Sequence, residues 1–229
     1  MPSTKNTTAL RLRIFAGPNG SGKSTIIKVV REYKIKNKIV DFGIYVNADD
    51  IAELLRKNKF SFANYQIKID EEDFRIETLE SGLINQSFSD QEFFASYKIS
   101  RSKLLLKKRE NDERMAQIIA DYLRKKLLAE RKKFSFETVF SHRGKLEIMK
   151  AAVSAGYKVY LYFVSTESPE INKDRVELRV ENNGHGVDPE KIVSRSDDSV
   201  LMHIQMIQCS CIFRSFSAHT YSLPYLNYV

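Results

Sequence analysis

The chain is poor in cysteine. Cys209 and Cys211 are its only two, and they sit two positions apart. Such a pair builds no disulfide framework and fits a reducing compartment, so a cytoplasmic setting is expected. No run of 18 or more apolar residues occurs, which argues against a membrane span. The opening stretch MPSTKNTTALRLRIF has neither a long apolar segment nor a small-residue cleavage site, so no signal peptide is expected. There is no internal repeat and no proline- or glycine-rich linker. Three of the nine glycines, by contrast, fall between positions 17 and 22.

What is present suits a globular protein with a real core. The 229 residues are 42% hydrophobic and 29% charged, enough for one α/β domain or two small ones. The formal net charge is +8. A basic surface can serve nucleic acid, and it can equally serve a protein that handles polyanionic phosphates. Much of the excess lies in RSKLLLKKRE (101–110) and LRKKLLAERKK (123–133), both read as helical, where a solvated helix face accounts for it.

Strands and helices alternate along the chain. Strands are expected at Leu12–Ala16, Gly43–Asn47, 134–138 (FSFET) and 157–164 (YKVYLYFV). Helices are expected near Lys23–Tyr33, 49–57, Asp112–Lys132, Lys145–Ala155 and 167–182, with Gly156 as a helix-ending glycine. In the fourth of these strands the apolar run is unbroken, as in a strand buried on both faces. Met115, Ile118, Ile119, Tyr122 and Leu123 recur at the spacing of one helix face. Residues 60–110 are aromatic-rich and weakly periodic, and are expected to form a helical insertion. The pattern predicts an α/β fold: a doubly wound, mainly parallel sheet with helices on both faces, in a single domain over 1–229. Ligands of such sheets bind beyond the carboxyl ends of the strands.

The sequence Gly17-Pro-Asn-Gly-Ser-Gly22-Lys23-Ser24 fills the pattern G-x-x-x-x-G-K-[ST] and follows an expected strand. With glycine at about 7% of residues, a chance match in a chain this long is roughly a one-in-a-hundred event. Glycines let successive N–H groups point inward at phosphate oxygens, and the helix that follows adds the positive end of its dipole. Gly17, Asn19, Gly20, Ser21, Gly22, Lys23, Ser24 and Thr25 are therefore the expected binders of a nucleoside triphosphate. Lys23 would reach the β- and γ-phosphates and the Ser24 hydroxyl would hold Mg²⁺. Such a loop holds a triphosphate but does not by itself say what becomes of it.

Three polar clusters follow expected strands or lie on a late helix. In VNADDIA, Asp49 is placed to take the proton of an attacking hydroxyl, or else Asn47, Asp49 or Asp50 caps the next helix. In FETVFS, Glu137 ends a strand and either serves the site or is an ordinary polar strand end. In RVELRVENNGHGVDP, Arg175 and Arg179 lie four apart on one helix face, before a Gly-His-Gly loop. They either close over a transferring phosphoryl group or pair with glutamates such as Glu177 and Glu181.

Taken together, AGPNGSGKST, NADDIA, FETVFS, GYKVYLYFV and RVELRVENNGHGVDPEKIVSR resemble the zeta-toxin family of P-loop kinases, over about residues 10–59 and 112–195. The resemblance implies a P-loop NTPase fold, ATP or GTP with Mg²⁺, and transfer of phosphate to a hydroxyl of an acceptor such as UDP-N-acetylglucosamine. It implies Asp49 as catalytic base, Lys23 at the nucleotide, Glu137 at the substrate, and Arg179 and Arg175 as lid arginines. Thr138, Ser141 and Arg143 stand where the family carries further substrate-site residues, and His185 stands where a second lid arginine would be expected. A toxin would also imply an antitoxin partner. No nucleic-acid motif is present. The alternative is a nucleic-acid-associated or partner-regulated P-loop ATPase without kinase activity.

The tail departs from this pattern. After Asp198 the remaining 31 residues hold one charged side chain, Arg214. Residues 196–229 are read as an atypical tail, produced by a change of reading frame, in which the last strand is absent or improvised.

Overall fold

The computed structural model describes residues 9–35, 37–107, 111–139, 144–165, 169–181 and 212–217. The fold is α/β with a mainly parallel sheet. The chain forms two compact units, one of residues 1–42 with 137–229 and one of residues 43–136.

In the first unit, β1 (Arg11–Ala16), β8 (Lys158–Ser165) and β9 (Ile212–Ser217) run parallel. β1 pairs with β8 from Arg11↔Lys158 to Ala16↔Phe163, and β8 pairs with β9 from Tyr160↔Ile212 to Ser165↔Ser217. Leu12, Ile14, Phe15 and Ala16 are fully buried, which is the near-continuous apolar run of a strand covered on both faces. Phe15 stacks on Phe42 at 5.4 Å and on Tyr162 at 4.7 Å. Arg13 is also buried, its guanidinium over the ring of Tyr160 at 5.2 Å and donating to the Asp41 carbonyl. Among the described residues this unit has the helices α1 (Lys23–Glu32), α6 (Gly144–Ser154) and α7 (Pro169–Glu181). Gly156 follows α6 at φ 81, the left-handed position expected of it. A short hairpin, β2 (Lys34–Ile35) with β3 (Lys38–Ile39), follows α1. The strand β9 is a finding about the tail: Ile212–Ser217 is a six-residue strand in parallel register, neither absent nor fragmentary. The rest of 196–229 lies outside the described residues.

In the second unit, β4 (Ile44–Val46) pairs in parallel with β7 (Phe134–Thr138), from Ile44↔Phe134 to Val46↔Phe136. Helix α5 (Asp112–Ala129) packs on α2 (Ala48–Arg56). The face Met115, Ile118, Ile119, Tyr122 and Leu123 is buried, as its spacing predicts. Between α2 and α5 lie a 3-10 turn (Phe62–Tyr65), α3 (Glu71–Leu79), α4 (Asp90–Ser96) and a hairpin of β5 (Tyr97–Ser100) and β6 (Lys103–Leu106).

The expected insertion carries the helices α3 and α4 and also the β5–β6 hairpin. One expectation is corrected: residues 101–107 are not helical. Arg101 and Ser102 turn the hairpin, with Arg101 at φ 57, and Lys103–Leu106 is a strand. Tertiary contacts override the helix preference of Leu104, Leu105 and Leu106. Leu104 is buried, and the Ser102 carbonyl accepts from the Phe62 N–H at 2.8 Å.

Aromatic rings fill this part of the core. Phe74 makes edge contacts with Phe62 at 5.6 Å, Tyr122 at 4.8 Å and Tyr97 at 5.7 Å. The Tyr122 hydroxyl donates to Asp73 at 2.8 Å. Burial, and then that hydrogen bond, hold its phenol far above its ordinary pKa.

Candidate phosphate-binding site

Six residues join β1 to α1, and their backbone must turn from extended to helical within that span. Gly17 stands at φ 147, and a Cβ on it would meet the Val164 carbonyl oxygen at 2.0 Å. Gly20 stands at φ 79, and a Cβ there would meet the Asn172 carbonyl oxygen at 2.3 Å. Neither position admits a side chain, so Gly17 and Gly20 are required by neighbours as well as by backbone angle. Gly22 caps α1 in the left-handed conformation with no side-chain bond to the first-turn amides. The Thr25 N–H donates to the Gly22 carbonyl at 3.1 Å, and the positive end of the α1 dipole faces the loop.

Lys23 begins α1 and folds back over the loop. It is 6% exposed, and its Nζ donates to the carbonyls of Gly17 at 3.0 Å and Pro18 at 2.8 Å. Glu137 Oε1, at the end of β7 and 14% exposed, lies 4.0 Å from the same nitrogen. The sequence left Glu137 open between a site residue and an ordinary strand end, and its carboxylate lies beside the loop lysine. Thr138 follows it, half-buried.

Helix α7 brings a second cation. Arg175 Nη1 lies 4.0 Å from where a Cβ on Gly22 would stand. Among the described residues Arg175 makes no ion pair with Glu177. Arg179 stands one turn further along α7; its side chain lies outside the described residues, as do Ser141, Arg143 and His185. Sequence reasoning did not single out Asn172. It is fully buried on α7 beneath Gly20, and its signal was the i, i+3 spacing to Arg175.

The residues present fit a triphosphate and its cation. The loop is a cradle that a Cβ would fill. The Ser21 hydroxyl is fully buried with no hydrogen-bond partner among the described residues. Two cationic groups, Lys23 and Arg175, lie against the loop. Ser24 and Thr25 are exposed on the first turn of α1. A single hydroxyl from Ser24 suits a hard cation that takes its remaining oxygens from phosphates and water, as Mg²⁺ does.

Asp49 belongs to the second unit. It stands in the first turn of α2, exposed, with its N–H donating to the Asn47 side-chain oxygen at 2.8 Å. Asn47 is thus the helix cap, and the capping alternative for Asp49 is removed. Among the described residues no helix is long and apolar enough to cross a membrane.

Neither a protein-family model nor a curated protein matches the chain. Solved structures do. A chain of the Pnkp1/Rnl/Hen1 RNA repair complex superposes with a TM-score of 0.50 at 14% identity, covering 90% of this chain and 49% of that one. The present chain thus spans about half of that relative, and the likeness is one of fold. A candidate kinase of Chloroflexus aurantiacus gives a TM-score of 0.45 at 9% identity, covering 91% of this chain and 85% of that one. A chain of the PezAT chromosomal toxin–antitoxin system of Streptococcus pneumoniae gives 0.49 at 14% identity, covering 95% and 72%.

Proposed function

We propose that this protein is a kinase that moves the γ-phosphoryl group of a nucleoside triphosphate to a hydroxyl of a small-molecule acceptor. The observation that carries the reading is the charge around one loop. A buried lysine, a strand-end carboxylate and a helix-borne arginine gather at the glycine cradle. Binding alone needs the cradle and lysine. Transfer also needs a cation aimed at developing phosphoryl charge and a carboxylate to hold the acceptor.

The acceptor hydroxyl attacks the γ-phosphorus as the bond to the β–γ bridging oxygen breaks, and the nucleoside diphosphate leaves. The hydroxyl proton passes to the Asp49 carboxylate, which capping does not occupy. Lys23 exchanges its loop carbonyls for phosphate oxygens. Arg175, joined by Arg179, neutralises charge on the transferring group. Glu137 and Thr138, with Ser141 and His185, hold the acceptor. Ser24 would hold Mg²⁺, which supplies electrostatic stabilisation to the phosphates.

The finer assignment rests on the sequence resemblance to zeta toxins. It makes a UDP-N-acetyl sugar the first acceptor to try, an antitoxin the partner and the cytoplasm the setting. The test is mass spectrometry of nucleotide sugars, sugars and nucleosides incubated with protein, Mg²⁺ and ATP, beside an Asp49→Asn protein. One acceptor should gain a single phosphate with the unmutated chain only. Undiminished transfer by Asp49→Asn removes Asp49 from the mechanism. Triphosphate binding without transfer to any acceptor overturns the kinase reading.

A further inference from the structure

We infer that Gly20 and the backbone of Asn172 form a seat that holds α7 against the phosphate loop, and that this seat sets the reach of Arg175. The inference deepens the proposed triphosphate site and rests on it for its ligand. Its starting point is a contact between two backbones. A Cβ on Gly20 would stand 2.3 Å from the Asn172 carbonyl oxygen and 3.1 Å from its carbonyl carbon and Cα. No flexible side-chain end is there to move aside. The loop lies directly on the helix.

The buried face of α7 agrees. Asn172 and Val176, four apart, are both buried. Arg175, three residues beyond Asn172, lies on the same side of the helix. Its guanidinium comes within 4.0 Å of the Cβ position of Gly22. The loop therefore meets α7 twice, through Gly20 at the seat and through Gly22 below the arginine. A helix turn is stiff, so a displacement at Asn172 is carried to Arg175. Ordinary contact starts near 3.4 Å, so an alanine at position 20 forces α7 back by about 1 Å. That is enough to take a charged hydrogen bond out of range.

Gly20 is a positioning residue in this scheme, and Gly22 supplies its control. Both stand at positive φ, 79 and 92, so alanine strains the backbone at either. Only at Gly20 does it also strike the α7 backbone. Two measurements on the full chain test the seat. Without nucleotide, Gly20→Ala should speed amide hydrogen exchange along α7, and Gly22→Ala should not. With nucleotide, calorimetry compares a non-hydrolysable ATP analogue with ADP. Arg175→Ala should lower the preference for the triphosphate by about tenfold. Gly20→Ala should lower it equally, and the double variant Gly20→Ala/Arg175→Ala no further. Gly22→Ala should weaken both ligands alike and keep the preference. Unchanged α7 exchange in Gly20→Ala, or a preference that survives it, overturns the seat. If the unmutated chain binds neither nucleotide, the triphosphate reading falls, while the exchange comparison still decides whether Gly20 seats α7.

Discussion

A buried ammonium group is costly unless its hydrogen bonds and charge are met. Lys23 meets both requirements with two carbonyl oxygens and the Glu137 carboxylate. The loop thus keeps a charged amine inside the protein that phosphate oxygens can claim. Lys23→Met retains the stem's volume and removes the charge. It should lower triphosphate affinity between about tenfold and a hundredfold, the range of hydrogen bonds to charged groups. Calorimetry reads the affinity, and a melting curve close to that of the unmutated chain shows that the fold survives. Unaltered affinity would take Lys23 out of the binding site. The roles proposed for Gly17, Gly20, Lys23 and Ser24 come from the sequence, because a phosphate cradle would demand fixed residue types at fixed spacing. Asp49 was not separable from its neighbours, since Asn47, Asp49 and Asp50 all cap helices well, and geometry alone gave the cap to Asn47. Asn172 offered only its i, i+3 spacing to Arg175, because its contact with the loop runs through a carbonyl oxygen, and every residue has one.

Elements were legible where their cause is local. The apolar stripe of α5 and the strand–loop–helix sequence from β1 to α1 announce themselves within a dozen residues. The hairpin of β5 and β6 does not, because Leu104 is held in a strand by contacts with residues some forty positions earlier: the Phe62 N–H on Ser102, and the bridge Ser61↔Lys103. Strand β9 is similar. Its partner β8 lies across a long stretch of chain, and the weakly charged composition around it concealed a regular six-residue pairing. The same contrast between local and distant support governs stability. The Asn47 side chain caps the first turn of α2 and donates to the nearby Tyr45 hydroxyl at 3.4 Å, both local contacts, so Asn47→Ala should cost about 1 kcal/mol. Ile119, fully buried on α5, is held by its surroundings, and Ile119→Ala should cost about 2–5 kcal/mol through lost burial and a residual cavity. Urea unfolding of the two variants checks the ordering. Equal losses would mean that α5 relaxes to fill the gap.

On the scale of the whole molecule, the question is where a net charge of +8 goes. Were it gathered into a free basic face, a nucleic-acid-associated ATPase would be the natural reading. The run 123–133 looks like such a face in sequence, and it folds otherwise. Arg124 is 3% exposed, paired with Asp121 at 3.0 Å and lying over the ring of Phe136 at 5.2 Å. Burial pulls its pKa down and Asp121 opposes the fall. Lys126 pairs with Asp73 at 2.6 Å, Lys125 with Glu77 at 3.5 Å and Asp121 at 3.6 Å, and Lys132 with Glu130 at 2.6 Å. These cations spend their charge inside the second unit, so a phosphate backbone would have to break ion pairs to use them. Single-stranded RNA or DNA in excess should therefore change triphosphate turnover by less than about twofold, with little dependence on salt between low and physiological ionic strength. Strong stimulation that collapses as salt rises would mean that the surplus charge is gathered elsewhere on the chain into a nucleic-acid surface. The kinase reading would then yield to a P-loop ATPase that answers to a polyanion.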